Sequence, residues 1–193
     1  MIDRVAARVT APRSLLSGLT YTRIAAVPVV MALILRGPDT DSAYTAAAIV
    51  FAVAAMTDFA DGYLARRWAV TTKLGSFLDT TADKLLVTGA LIALVDVDRA
   101  SPVIAAIIIG RELLILGLRG VVAAEGTVFP PSIWGKLKTN AQFVAIVLAI
   151  LHLGKPLAGL RVDEWVMIAA AAITVMSAIE YLTRFSSALT DER

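Results

Sequence analysis

The chain has 193 residues, 58% of them hydrophobic, and a formal net charge of only +2 at pH 7. Its mean hydropathy of +0.77 is well above that of a water-soluble domain with a polar surface. The small charge, without basic tracts interleaved with aromatic residues, argues against nucleic-acid binding. Cysteine is absent, which excludes disulfides and thiolate ligands and leaves carboxylates and the single histidine, His152, as side-chain metal ligands.

Six apolar segments are long enough to cross a bilayer, because a spanning helix needs about 20 residues. Continuous apolar runs such as 46–53 lack the alternation that a membrane-spanning β-barrel requires. The predicted fold is therefore all-α, an integral membrane bundle of six transmembrane helices that forms one domain over residues 1–193. The predicted spans are roughly 19–36, 44–63, 75–95, 102–123, 135–153 and 164–184.

Residues 1–16, ahead of the first span, carry an amphipathic pattern. Ile2 and Val5 share one helical face, and Arg4 and Arg8 share another. This pattern predicts a short N-terminal interfacial helix beside the membrane. A plain basic tail is the alternative interpretation.

Lysine and arginine alternate between the two ends of the predicted spans. The N-terminal segment, the connection around Arg66 and the connection that ends at Lys136 are basic, whereas connections 36–41 and 96–99 are net acidic. Because basic residues accumulate in cytoplasmic loops, both termini are predicted to be cytoplasmic.

Four aspartates flank the connection between the second and third spans. Asp58 and Asp61 are three residues apart, and Gly75, Asp79 and Asp83 follow one another at intervals of four. Each set lies on one helical face, so an antiparallel helix pair can bring the four acids together.

Four clustered carboxylates repel one another unless cations neutralise them. Oxygen ligands favour Mg²⁺ or Mn²⁺, and two such ions can stabilise the attacking and leaving oxygens of a phosphoryl transfer. Gly62 and Gly75 let a flat group such as a nucleobase approach the backbone, and Arg66 can contact a phosphate or ribose. The alternative is that the acids only cap helices and pair with nearby basic residues.

This string, Asp58-x2-Asp61-Gly62-x2-Ala65-Arg66-x8-Gly75-x3-Asp79-x3-Asp83, resembles the signature of the CDP-alcohol phosphotransferase family at every fixed position. The resemblance implies a six-helix, homodimeric enzyme that joins an alcohol to the phosphate of a CDP-linked lipid and releases CMP. It implies two divalent cations, Mg²⁺ or Mn²⁺, and makes Asp79 and Asp83 catalytic, with Asp83 as general base. The implied metal ligands are Asp58, Asp61, Asp79 and Asp83, and the implied CDP-lipid site is Asp61, Gly62, Ala65, Arg66, Thr72 and Gly75.

The acceptor alcohol must be inferred from polar residues in otherwise apolar helices. Arg111 and Arg119 are costly within a span unless they meet an acid, a cavity or an anionic substrate. The motifs around Gly110 and Gly135 resemble the phosphatidylglycerophosphate synthase branch, although Glu180 stands where aspartate is usual. That branch implies CDP-diacylglycerol and glycerol 3-phosphate as substrates. The candidate phosphate-binding residues are Arg111, Arg119, Lys136, Lys138 and Arg184.

Other interpretations stay open at this point. Arg111 can pair with an acid on a neighbouring helix, Lys136 and Lys138 can be membrane anchors, and Glu180 with Arg184 can be an ordinary i,i+4 pair. Within the family, a synthase that uses inositol phosphate is the strongest rival. Outside it, a cation transporter or a structural membrane subunit is the alternative.

The same resemblance, with the predicted topology, implies a multi-pass protein of the bacterial inner membrane. The active site would then face the cytoplasm and be surrounded by membrane lipids.

Overall fold

The computed structural model describes residues 13–68, 73–124, 132–153, 156 and 159–191. Within helices, the side chains of 13–19, 58–68, 73–77, 79, 124 and 187–191 lie outside the described part. The described residues form six α-helices. They are α1 (Arg13–Arg36), α2 (Asp41–Trp68), α3 (Lys73–Asp96), α4 (Pro102–Ala124), α5 (Ile133–Leu151) and α6 (Val162–Asp191).

Each predicted span coincides with one of these helices. The predicted fifth span extends to residue 153, but α5 ends at Leu151 because His152 adopts a left-handed conformation (φ 52°) and donates its N–H to the carbonyl of Leu148. The interfacial helix predicted for residues 1–16 falls mainly outside the described residues. Its last residues, from Arg13 onward, belong to α1.

The bundle buries an apolar core together with a few polar and charged side chains, and it also exposes many large apolar side chains. Glu112, Lys138 and Gln142 are buried, whereas Ile49, at 59%, is one of many exposed large apolar side chains. Soluble monomers rarely expose contiguous apolar surface on this scale. The distribution is typical of helices that contact lipid and enclose their polar groups.

Among the described residues, one segment is long and apolar enough to cross a membrane by composition alone, Val162–Ser186, with a mean hydropathy of 1.8. The other helices carry more charge or fewer described residues. Helix α4, for example, contains Arg111, Glu112 and Arg119. The three charges of α4, and not a shortage of apolar residues, therefore distinguish it from α6.

The helices pack in a layered arrangement. Helix α1 packs on α2 and α3, and α5 packs on α6; α2 also contacts α5, while α4 contacts α3 and α6. Small residues permit close approach of the helix backbones. A side chain at Gly89 of α3 would place its Cβ 2.8 Å from Val27 of α1. Aromatic contact holds α2 to α5, where Phe51 and Phe143 meet edge to face with ring centroids 5.9 Å apart.

Three short turns meet at one end of the bundle. Arg99, in the turn after α3, lies 3.3 Å over the Tyr44 ring of α2 and donates to the carbonyl of Ile150 at the end of α5. Asp163, at the start of α6 and 1% exposed, contacts His152 Nδ1 at 3.0 Å and Arg161 Nε at 3.4 Å.

We call Arg99, His152, Arg161, Asp163 and Glu164 the turn cluster. Glu164 accepts from the backbone N–H of Arg161 at 2.6 Å, and Arg161 donates to the carbonyl of His152. These contacts satisfy backbone groups that helix ends leave without partners.

An apolar groove runs beside the contact between α2 and α5 and is lined by both helices. It has a volume of about 400 Å³, and its lining includes Phe51, Ala52 and Met56 of α2 and Val144 and Val147 of α5. Met56 lies two residues before Asp58, so the described lining of the groove reaches close to the aspartate signature.

Candidate active site

The aspartate signature lies on two consecutive helices that contact each other. Asp58 and Asp61 are in the second half of α2, and Asp79 and Asp83 are in the first half of α3. Both pairs are therefore near the same connection, residues 69–72, which is outside the described part of the chain. The side chains of Asp58, Asp61 and Asp79 are also outside it, so the convergence of the four acids stays a prediction.

The predicted CDP-lipid site falls on the same two helices. Gly62, Ala65 and Arg66 belong to α2 and Gly75 to α3, all with side chains outside the described part. Thr72 lies outside the described residues altogether.

Asp83 is the signature aspartate whose side chain is described. Its Oδ2 lies 2.8 Å from the ammonium nitrogen of Lys84. Its Oδ1 is buried and has no hydrogen-bond partner among the described residues. A buried carboxylate oxygen without a partner is costly. Oδ1 therefore fits the predicted roles of divalent-cation ligand and proton acceptor.

Next to Asp83, one buried carboxylate forms ion pairs with three cations. Glu112 of α4 is 2% exposed, and its Oε2 lies 2.8 Å from Lys84 Nζ. Its Oε1 lies 3.2 Å from Arg111 Nη1 and also contacts the ammonium of Lys138 on α5. We call Asp83, Lys84, Arg111, Glu112 and Lys138 the interior cluster.

Neutral groups of α5 and α6 extend the interior cluster. Gln142 Nε2 donates to Thr174 Oγ1 at 2.9 Å, and Arg111 Nη2 donates to Ser177 Oγ at 2.8 Å. Lys138 and Gln142 are four residues apart, and Thr174 and Ser177 are three apart, so each pair shares one helix face. Four helices, α3 to α6, therefore meet at this polar site.

Among the five residues of the interior cluster, cations outnumber carboxylates. Three cations face two carboxylates, and Arg111 Nε is buried with no partner among the described residues. Unbalanced charge in a low-dielectric interior is unfavourable. The arrangement is suited to an anionic ligand that would use the remaining N–H groups.

The five predicted acceptor cations divide into two groups. Arg111 and Lys138 join the interior cluster, whereas Arg119, Lys136 and Arg184 are exposed. Arg119 lies over the Tyr181 ring, 5.8 Å from its centroid. Arg184 contacts Glu180 Oε1 at 2.6 Å, as an ordinary i,i+4 pair does.

Two charged residues of the interior cluster had no role in the sequence-based site. Glu112 stands out in the sequence as a charge within an apolar helix, and Lys84 as a lysine that directly follows Asp83. Their positions inside predicted spans were a usable signal, because a charge there needs a partner. Their partners could not be chosen from the sequence.

The sequence profile of the CDP-alcohol phosphatidyltransferase family matches residues 14–176. Three relatives illustrate the similarity. A CDP-diacylglycerol--glycerol-3-phosphate 3-phosphatidyltransferase of Bacillus subtilis is 38% identical over 89% of this chain and 94% of its own length. The protein of that name from Escherichia coli K12 is 36% identical over 90% and 96%. A probable phosphatidylglycerophosphate synthase of Mycobacterium tuberculosis is 40% identical over 86% and 78%.

The family match covers the aspartate signature, helices α3 to α5 and the first half of α6, and the similarity to these relatives extends along most of the sequence. The chain therefore belongs to the CDP-alcohol phosphatidyltransferase family.

Proposed function

We propose that this chain transfers the phosphatidyl group of CDP-diacylglycerol to sn-glycerol 3-phosphate, giving phosphatidylglycerophosphate and CMP. Relatives named for this reaction align with most of the chain. The observation that carries the proposal is the interior cluster, in which Glu112 holds Arg111 and Lys138 near Asp83 and the Nε of Arg111 has no partner among the described residues. A phosphorylated alcohol bound there has its hydroxyl near a carboxylate and its phosphate near cations.

Asp83 is the general base in this proposal. The free hydroxyl oxygen of glycerol 3-phosphate attacks the phosphorus that carries diacylglycerol, and the bond from that phosphorus to the CMP oxygen breaks. The hydroxyl proton passes to Asp83, whose Oδ1 has no other partner among the described residues. A positioned base typically contributes a factor of about 10² to 10⁴ in rate.

Asp58, Asp61, Asp79 and Asp83 would hold two divalent cations, Mg²⁺ or Mn²⁺. An all-carboxylate donor set suits these ions, and the buried, unpartnered Oδ1 of Asp83 fits a ligand atom. Bound there, such cations would supply charge neutralisation for the diphosphate and its leaving oxygen. Asp61, Gly62, Ala65, Arg66, Thr72 and Gly75 would form the site for the CDP moiety.

The acceptor phosphate would bind between Arg111 and Lys138. Arg119, Lys136 and Arg184 are exposed and would make weaker contacts with this phosphate. Arg111 and Lys138, in contrast, are held together at Glu112. The groove between α2 and α5 would receive an acyl chain of the lipid, because it is apolar and its described lining includes Met56, two residues before Asp58.

The proposed setting is the inner membrane of a bacterium, with both termini and the active site cytoplasmic and two copies forming a homodimer. The alternation of basic and acidic connections supports this topology. Because the chain lacks cysteine, a single cysteine introduced at Asp39 should react with a membrane-impermeant thiol reagent added outside intact cells. A monomeric mass in detergent and in lipid nanodiscs would contradict the dimer.

The first test is CMP release by purified protein with CDP-diacylglycerol and Mg²⁺ or Mn²⁺, with glycerol 3-phosphate and inositol phosphate offered separately. We expect turnover with glycerol 3-phosphate, and a loss of about 10²-fold or more in kcat for Asp83→Asn. Turnover with inositol phosphate alone would replace the acceptor. Ion flux across vesicles without CMP release would support transport and overturn the proposal.

A further inference from the structure

Lys84 is placed to determine which oxygen of Asp83 is available for chemistry. Its ammonium nitrogen donates a hydrogen bond to Asp83 Oδ2 at 2.8 Å and forms an ion pair with Glu112 Oε2 at 2.8 Å that lacks hydrogen-bond geometry, so it joins the two carboxylates. Asp83 Oδ2 is occupied by this contact, while Oδ1 is buried and has no partner among the described residues. Rotation of the Asp83 carboxylate would break the contact with Lys84.

Glu112 also contacts Lys84, and its two carboxylate oxygens contact residues of different helices. Oε2 faces Lys84 of α3, while Oε1 faces Arg111 of its own helix and Lys138 of α5. At 2% exposure it has almost no access to water, so its charge is balanced by these cations. Without it, the three cations would repel one another in a low-dielectric interior.

We propose that Lys84 and Glu112 form a positioning bridge, in which Lys84 fixes the orientation of Asp83 and Glu112 fixes both Lys84 and the acceptor-binding cations. This inference rests on the proposed function, because it assumes that Asp83 and Lys138 act on the two ends of one acceptor. Neither bridge residue touches substrate; each acts through a neighbour. The bridge ties the site of proton transfer on α3 to the phosphate site on α4 and α5.

The two bridge residues differ in their expected kinetic signatures. Lys84 contacts Asp83 and Glu112, so Lys84→Met should lower kcat and leave both KM values near those of the wild type. Glu112 also holds Lys138 and Arg111, so Glu112→Gln should lower kcat and raise the KM for glycerol 3-phosphate. A misplaced catalytic group commonly costs a factor of about 10², so we expect kcat losses of about 10- to 100-fold.

Two further variants test the bridge itself. Lys84→Arg keeps a cation between the carboxylates and should recover most of the kcat lost in Lys84→Met. The double variant Lys84→Met/Glu112→Gln should have a kcat no lower than the worse single variant, because both substitutions break one connection. Independent contributions would instead multiply.

The assays use the full-length purified protein, with the Tm and the KM for CDP-diacylglycerol measured for every variant. Arg36→Met and Asp96→Asn alter exposed charges at the turn end of the bundle and serve as matched controls with wild-type kinetics. Three outcomes would each overturn the bridge. The first is a wild-type kcat in Lys84→Met, and the second is a multiplicative loss of kcat in the double variant. The third is a loss of kcat that is accompanied by a lower Tm and a changed KM for CDP-diacylglycerol.

The wild-type reaction separates this inference from the proposed function. If the wild-type protein uses glycerol 3-phosphate but Lys84→Met keeps full kcat, the function stands and the bridge fails. If the wild-type protein uses only another alcohol acceptor, the acceptor assignment fails. The same variants measured with that acceptor then decide the bridge.

Discussion

The interior cluster and the turn cluster contain similar side chains but use them differently. In the turn cluster, Arg99 and Arg161 donate to backbone carbonyls at helix ends, and Glu164 accepts a backbone N–H. Charged groups contact one another in both clusters, but in the interior cluster Asp83 Oδ1 and Arg111 Nε have no partners among the described residues. The difference indicates that the turn cluster satisfies hydrogen-bonding groups of the backbone, whereas the interior cluster keeps polar atoms that a ligand could bind.

The two clusters are also well separated. Lys138 and His152 are 14 residues apart on or just after α5, which corresponds to about 21 Å along a helix axis. Substitutions in one cluster should therefore have effects that are independent of the other. The following predictions use that independence.

The largest expected difference is in the KM for glycerol 3-phosphate, between Lys138→Met in the interior cluster and Arg161→Met in the turn cluster. Lys138 is buried against Glu112, and loss of a charge-assisted hydrogen bond to substrate costs about 1.5 to 3 kcal/mol. We expect the KM for glycerol 3-phosphate to rise at least tenfold in Lys138→Met, with little change in the KM for CDP-diacylglycerol. Arg161→Met should leave both KM values unchanged.

Arg119→Ala tests, by the same KM for glycerol 3-phosphate, whether the exposed cations also bind the acceptor. Because Arg119 is exposed and lies over Tyr181, its effect on the KM for glycerol 3-phosphate should be smaller than that of Lys138→Met. Equal effects would show that the acceptor phosphate binds further out along α4 than the interior cluster. An unchanged KM would remove Arg119 from the acceptor site.

A smaller effect, on stability, is expected for Asp163→Asn. Asp163 is 1% exposed and contacts both His152 and Arg161, so the substitution weakens two charge-assisted contacts and should lower the free energy of unfolding by about 1 to 3 kcal/mol. The Tm should fall, and the kcat of the folded protein should match that of the wild type. A loss of kcat at unchanged Tm would contradict the structural role of the turn cluster.

The smallest effect is expected in the groove between α2 and α5. Ala52 lines it, and a phenylalanine there would occupy space proposed for an acyl chain. Ala52→Phe should raise the KM for long-chain CDP-diacylglycerol several-fold, on the scale of about 1 kcal/mol for overpacking, and affect a short-chain analogue less. Ile49→Phe, at an exposed position of the same helix outside the lining, is the control.

The sequence alone predicted the six helices and the family. Apolar length predicted six segments that coincide with α1 to α6, because a span is fixed by local composition and bilayer thickness. The spacing of Asp58, Asp61, Asp79 and Asp83 predicted the family, which the match over residues 14–176 confirms. Helical periodicity places such residues on a face without knowledge of the partner helix.

Only the tertiary structure decided which charges meet. Arg111 and Arg119 look alike in the sequence, but one contacts Glu112 and Ser177 and the other lies over Tyr181. Lys84 and Glu112 are 28 residues apart, and their contact depends on how α3 and α4 are rotated and packed against each other. Helix packing allows many rotations of each helix, so pairing across helices cannot be read from the spacing along any one of them.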